Sequence, residues 1–345
     1  MPNDRKIIMV GFMQAQNCSN YPASWRHMES AGDFLTPDYY RRIARALEDG
    51  KFHFGFFDDR LALPDIYGAD HKEAVKNGIR VVKMDPIPIL ATMAMSTTHL
   101  GLAATLSTTY YEPFHIARTM MTLDHMTGGR AGWNVVTSLN YSEAFNMGAK
   151  STIQHDRRYD RADEMMQSVI NMWNSWEPDA IKFDKHNGIF ADPDKVHPIE
   201  HNGEWFQTKG SFTVPPSPQG HPVIVQAGQS GRGRKFACEW GEVIFTIQND
   251  FEQAKKVRSE MRDEAQMQGR DPDTIAIAPA FYVTVGETQS IAEDKFAYID
   301  SLAKPIDGLT LLSEVLNFDF ATKKIDEPFS DEELAGINGL RGNLG

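Results

Sequence analysis

Short apolar runs alternate with longer amphipathic stretches along most of this chain. Residues 7–13 predict a first strand. Residues 36–50 carry the marks of a whole helix: Thr36 at the cap, Pro37 in the first helical place, Ile43 and Leu47 on one face, and Gly50 at the stop. Residues 52–58 predict a second strand, and residues 86–98 a helix whose Pro88 still fits its first turn. A third strand at 100–107, a helix at 113–126 stopped by Gly128-Gly129, and a fourth strand at 131–137 follow. A helix at 155–176 precedes a polar, Gly- and Pro-rich stretch, 178–220, too long for an ordinary connection and read as an insertion holding a hairpin. Residues 222–227, 242–247 and 275–285 predict strands five, six and seven. Beyond Pro305 the pattern weakens, with 309–316 as a short helix.

Strands that alternate with helices imply an α/β fold with a parallel sheet. An open dinucleotide-binding sheet would carry GxGxxG after the first strand, but Gln14-Ala15-Gln16-Asn17 stands there. The strand ends are polar, as in a TIM (β/α)8-type barrel, which places its chemistry on those loops. The expectation is one barrel domain over 1–345, with 178–220 inserted and 303–345 beginning a second insertion after strand seven. No eighth strand with a closing helix is predicted, so the expected barrel is open, with a parallel edge exposed.

Composition narrows the partners. Thirty-five Lys and Arg against 47 Asp and Glu give a net charge of −12, which argues against nucleic acid. No run approaches the roughly 18 apolar residues of a membrane span. Cys18 and Cys238 lie far apart without a CxxC or Cys/His cluster, so neither a disulfide framework nor a metal site is expected, and a reducing cytoplasm is the expected location.

Five places carry candidate chemistry. Strand two ends in Asp58-Asp59-Arg60, either a solvated terminus or carboxylates at a barrel mouth. Strand three ends in Ser107-Thr108-Thr109, hydroxyls that suit a ligand or the cap of the next helix. Alternation sends Asn134, Val136 and Ser138 into the barrel, where an amide needs a partner: a ligand edge, its neighbours or water. His155 and Tyr159 share a helix face, with Arg158 and Arg161 near enough to line an anion site, and without zinc-motif spacing. Finally, strand five runs into Ala227-Gly228-Gln229-Ser230-Gly231 before a helix, a setting for phosphate or a plain tight turn. GK[ST] is missing, which disfavours a nucleoside triphosphate.

Five ordered motifs strongly resemble one family: Phe56-Phe57-Asp58-Asp59-Arg60-Leu61-Ala62, the stretch from Ala104 to Arg118 containing Ser107-Thr108-Thr109-Tyr110-Tyr111, Gly132-Trp133-Asn134-Val135-Val136-Thr137-Ser138, the helix start His155-Asp156-Arg157-Arg158-Tyr159, and Gln226-Ala227-Gly228-Gln229-Ser230. The chain is similar over essentially its whole length to the bacterial luciferase-like flavin-dependent monooxygenases, in the nitrilotriacetate, dibenzothiophene-sulfone and long-chain-alkane group. Trp25-Arg26-His27, Trp173-Asn174-Ser175-Trp176 and Pro216-Ser217-Pro218-Gln219-Gly220 point to the sulfone branch.

The resemblance implies reduced FMN (FMNH2), O2 and a separate NAD(P)H:flavin reductase, with oxygenation of a small organic substrate, an aromatic sulfone with C–S cleavage among the options. It implies Asp59, Ser107, Asn134 and Ser138 around the flavin ring and ribityl chain, and His155, Tyr159, Ser230 and Gly231 at the phosphate. Met13, Trp25, His27, Phe56 and Phe245 are the candidate substrate walls. It also implies a homodimer or homotetramer, and family members longer than this chain, which stops before strand eight. Three alternatives stand beside it: a flavin binder without turnover, a monooxygenase acting on an alkane or aminocarboxylate, and a deazaflavin oxidoreductase on the same scaffold.

Overall fold

The computed structural model describes residues 7–138, 140–229 and 231–337. Seven strands form one sheet: β1 (Val10–Met13), β2 (Phe54–Phe57), β3 (Gly101–Ser107), β4 (Ala131–Val136), β5 (Val223–Gln226), β6 (Val243–Thr246) and β7 (Ala276–Pro279). They lie side by side in chain order, and every adjacent pair is parallel. The crossovers contain α1 (Pro37–Asp49), α2 (Pro86–Ala94), α3 (Pro113–Thr127), α4 (His155–Trp173), α5 (Gly231–Trp240) and α6 (Phe251–Met267). The sheet curls until Phe12 of β1 stacks on Phe56 of β2 at 4.8 Å and also meets Phe245 of β6 at 5.5 Å. The result is a near-closed parallel barrel.

The strands read as continuous apolar runs because both faces are covered. Alternation divides them. Val10, Phe54, Phe56, Ala103, Val223, Val225, Val243, Phe245, Ala276 and Ala278 fill the barrel. Phe57, Leu102, Ala104, Leu106, Trp133, Val135 and Ile224 pack outward into the helix layer. There Trp133 sits edge-on to Trp173 at 6.3 Å and donates its indole N–H to the Leu106 carbonyl, so its one polar group is satisfied. Burying a side chain such as Leu102 contributes about 2 kcal/mol.

Local signals set the helix ends. The Thr36 hydroxyl accepts from the Tyr39 N–H at the start of α1, and the Asp85 carboxylate accepts from the Ile87 N–H at the start of α2. Gly128 stops α3 with φ +70°, a left-handed turn that glycine enters without a Cβ clash.

Several expected elements differ. Strand one begins at Val10, and Ile7 and Ile8 before it lie exposed. Helix α4 ends at Trp173, capped by Asn174. The 178–220 stretch holds two hairpins, Ile181–Asp184 with Ile189–Ala191 and Ile199–Asn202 with Gln207–Gly210. Strand seven was expected over 275–285, but its ladder to β6 ends at the Thr246 and Pro279 pair. Phe281, Tyr282, Val283 and Val285 beyond it are exposed and have the composition of a strand without its partner. After β7 come α7 (Gln289–Ser301) and α8 (Pro305–Leu316), of which only part of α8 was expected. Among the described residues β1 and β7 remain the sheet's two edges, and no helix is long and apolar enough to cross a membrane.

Candidate functional site

The C-terminal ends of β2, β3 and β4 meet in a hydrogen-bond chain. The Asn134 side-chain N–H donates to Thr105 Oγ1 at 2.7 Å, and that hydroxyl donates to the Phe57 carbonyl at 2.6 Å. Asn134 is buried at 4% exposure, and its Oδ1 has no partner. Burying an unpaired acceptor costs about 1–3 kcal/mol, so this oxygen is set to receive a donor from a ligand. Above it the Ser138 hydroxyl donates to Ser107 Oγ at 2.9 Å, and the Ser138 N–H donates to Thr109 Oγ1 at 3.2 Å. Ser107, Asn134 and Ser138 therefore come together, on the face that alternation assigned to the barrel interior.

Asp59 follows β2 at the same mouth. Burial pushes its carboxyl up to about 7, although the Arg60 N–H donates to Oδ1 at 2.8 Å and Lys83 lies near. Desolvation outweighs both, as it also does at Lys83, which burial pushes down even though Asp58 pairs with it. At neutral pH Asp59 is divided between its two forms and can hold or release a proton.

The phosphate candidates gather at the start of α4 and the turn before α5. Tyr159 is buried, faces His155 at 5.4 Å and Phe236 at 5.6 Å, and hydrogen-bonds Thr137. Gly233 of α5 comes so close that a Cβ there would lie 2.6 Å from the Tyr159 hydroxyl. The Gln226 amide holds the turn, donating to the Val135 carbonyl at 3.2 Å and accepting from the Gly228 N–H. Gly231 opens α5 at φ +52°. Ser230 lies outside the described residues.

Arg158 and Arg161 differ. Arg161 donates to the Thr109 carbonyl and lies 4.2 Å over the Phe206 ring. Arg158 is buried at 8% exposure; its Nε has no partner, and Nη1 makes one 3.4 Å contact with the Ile153 carbonyl. Among the described residues no carboxylate pairs with it, and burial lowers its affinity for the proton. A desolvated guanidinium without a counter-ion is a site for an anion.

The proposed walls divide. Phe56 and Phe245 face the barrel interior together, with ring centroids 5.8 Å apart. Met13 does not: it packs in the outer core, where its side chain covers Gly55. Parity explains this, since Val10 and Phe12 take the interior face of β1, and Phe12 is the aromatic wall that sequence reasoning missed. Trp25 donates its indole N–H to the Asn77 carbonyl at 2.8 Å, and His27 meets Tyr298 of α7 at 5.1 Å. None of their described hydrogen bonds reaches the Asn134 and Ser138 set. Lys83 was also missed, because its contact with Asp58 spans 25 positions and has no local signal.

Known proteins with these features are found on comparison. A model of the luciferase-like monooxygenase family matches residues 17–337. Dibenzothiophene-sulfone monooxygenase of Rhodococcus erythropolis is 44% identical over 332 residues, covering 96% of this chain and 73% of that protein. The crystal structure of a long-chain alkane monooxygenase superposes with a TM-score of 0.92 at 35% identity, covering 95% of this chain and 76% of the other. A riboflavin lyase structure with modified FMN and riboflavin gives 0.90 at 33% identity, covering 96% and 76%. A parallel barrel with its polar groups at the strand ends and a match across most of its length place the chain: it belongs to the luciferase-like monooxygenase family.

Proposed function

We propose that this monooxygenase uses reduced FMN and O2 to oxygenate a small organic substrate, with an aryl sulfone as the first class to try. The observation that carries the reading is the unpartnered Asn134 Oδ1, buried near the ends of β3 and β4, where Thr105, Ser107 and Ser138 supply hydroxyls. The residues fit the cofactor chemically. A flavin ring offers N–H donors for Asn134 Oδ1, a ribityl chain offers hydroxyls for Ser107 and Ser138, and a phosphate offers the counter-ion that Arg158 lacks among the described residues. His155, Tyr159, Ser230 and Gly231 would hold the same end, where Gly231 opens a helix whose N-terminus favours negative charge.

Bound reduced FMN would supply the O2-activating chemistry; the chain's part is position, dryness and a proton. Phe12, Phe56 and Phe245 give the mouth an apolar wall that excludes water. Asp59 keeps a proton available near neutral pH, with Oδ1 already accepting from the Arg60 N–H and Oδ2 left to carry it. No dinucleotide fingerprint follows β1, which supports supply of the reduced flavin by a separate NAD(P)H:flavin reductase. Free, buried Cys18 and Cys238 support a reducing cytoplasm. Assembly as a homodimer or homotetramer belongs to the same proposal, supported by the exposed apolar run after β7.

The test combines the chain with FMN, a flavin reductase, NAD(P)H and 18O2, and offers an aryl sulfone, a long-chain alkane and an aminocarboxylate in turn. One labelled oxygen atom in a product, dependent on both chain and FMN, is expected. Unlabelled or absent product for all three classes would refute the reading.

A further inference from the structure

One buried carboxylate joins the segments that follow β2, β4 and β7. Glu314 lies in α8, beyond β7, and its side chain is 1% exposed. Its Oε1 accepts from the Asp65 N–H at 3.0 Å and from the Ile66 N–H at 3.3 Å, both in the loop after β2. Its Oε2 accepts from the Asn140 side-chain N–H at 2.7 Å, after β4, and pairs with Arg60 at 3.4 Å. These donors occupy the roughly four lone-pair sites of an ionised carboxylate.

The contacts fall beside the flavin candidates. Arg60 is the neighbour whose backbone N–H donates to Asp59 Oδ1, and Asn140 stands two positions after Ser138, whose hydroxyl donates to Ser107. The Asn140 Oδ1 accepts from the Ser142 N–H at the start of the short helix Tyr141–Asn146, which leaves its N–H group for Glu314. The two loops also meet directly: Ser142 Oγ donates to the Asp65 carboxylate, and the Leu61 N–H donates to Glu143 Oε1. Glu314 adds an anchor outside both loops and a contact next to Asp59. Near its other end α8 is held separately, by Asp307 paired with Arg26 of the segment after β1.

The geometry assigns Glu314 the part of a positioning residue: it holds the loop that carries Asp59 against the loop that carries Ser138. The assignment rests on reading the mouth as the flavin site. It goes beyond that reading by placing control of the site's shape in α8, 174 positions from Asn140 along the chain.

An exchange of donor and acceptor tests it. Glu314→Gln keeps the shape but turns one oxygen into a donor facing the donors of Asn140 and Arg60. Asn140→Asp sets a second carboxylate against Glu314. With both changes the introduced amide donates to the introduced carboxylate, and the bond is remade with its polarity reversed. In the flavin-free full chain, hydrogen exchange around Asp65–Ile66 and Asn140–Ser142 should run about tenfold faster in each single variant and return to within about threefold of wild type in the double variant. FMN affinity, read by fluorescence, should fall about tenfold in each single variant and recover in the double. Asp307→Asn loosens the other attachment of α8 and should leave both readouts within about threefold of wild type. Single variants that leave either readout unchanged, a double variant no better than the singles, or an Asp307→Asn variant as impaired as Glu314→Gln would overturn the assignment. The last result would make the docking of α8 as a whole, not the Glu314 tie, the determinant. The two readings fail separately. Faster exchange in the variants of a chain whose wild type binds no FMN keeps the tie and loses the flavin site, whereas FMN binding untouched by Glu314→Gln keeps the flavin site and removes Glu314 from it.

Discussion

Replacing Asp59 with asparagine isolates the cost of its burial. Asparagine keeps the shape, and its oxygen still accepts from the Arg60 N–H. The ordinary carboxyl value of 3.8 rises to about 7 in the fold. At about 1.4 kcal/mol per pH unit, the charged form therefore costs the folded chain about 4 kcal/mol. The sign follows from proton counts. Between roughly pH 4 and 7 the folded chain holds a proton that the unfolded chain has lost, so this group's stabilising contribution is full below the unfolded value and disappears as pH rises through 7. Asp59→Asn removes the dependence. Urea unfolding of both proteins without flavin at pH 5, 6, 7 and 8 should show the variant's relative stability growing by about 2–3 kcal/mol across the series and levelling off above 7. A difference that stays constant, or that shrinks as pH rises, would refute the assignment of burial as the dominant cause.

Two further substitutions probe the same site. Asn134→Leu deletes the unpartnered Oδ1, so the flavin-free chain should lose no more than about 1 kcal/mol in thermal unfolding while FMN affinity falls about tenfold by fluorescence quenching. Gly233→Ala places a methyl against the Tyr159 hydroxyl and should cost about 1–3 kcal/mol, less in a Tyr159→Phe background, as a double-mutant cycle of urea midpoints would show.

Elements with local signals were legible in the sequence. The Thr36 cap, the Gly128 stop and the parity that sends Asn134 inward depend on neighbours a few residues away, and the structure has them where the residues indicated. Strand ends were less legible, because a ladder stops where its partner stops. Residues 281–285 have strand composition but extend past the end of β6, and Ile7 and Ile8 precede the register of β2. The side of β1 was ambiguous for another reason: Val-Gly-Phe-Met is apolar throughout, so alternation could not choose Phe12 over Met13. The electrostatics of the mouth were least legible. The Asp58 pair with Lys83 and the lack of a counter-ion for Arg158 among the described residues follow from which loops the barrel brings together, and those contacts have no periodicity to read.

The cradle itself is tested most directly by comparing FMN with riboflavin, which has the same ring and chain but no phosphate. Measured calorimetrically on the wild-type chain and on Arg158→Met, FMN should bind about tenfold or more tightly than riboflavin, with the advantage largely gone in the variant. Equal binding of the two flavins by the wild-type chain, or binding of neither, would contradict the placement of a flavin phosphate at the start of α4.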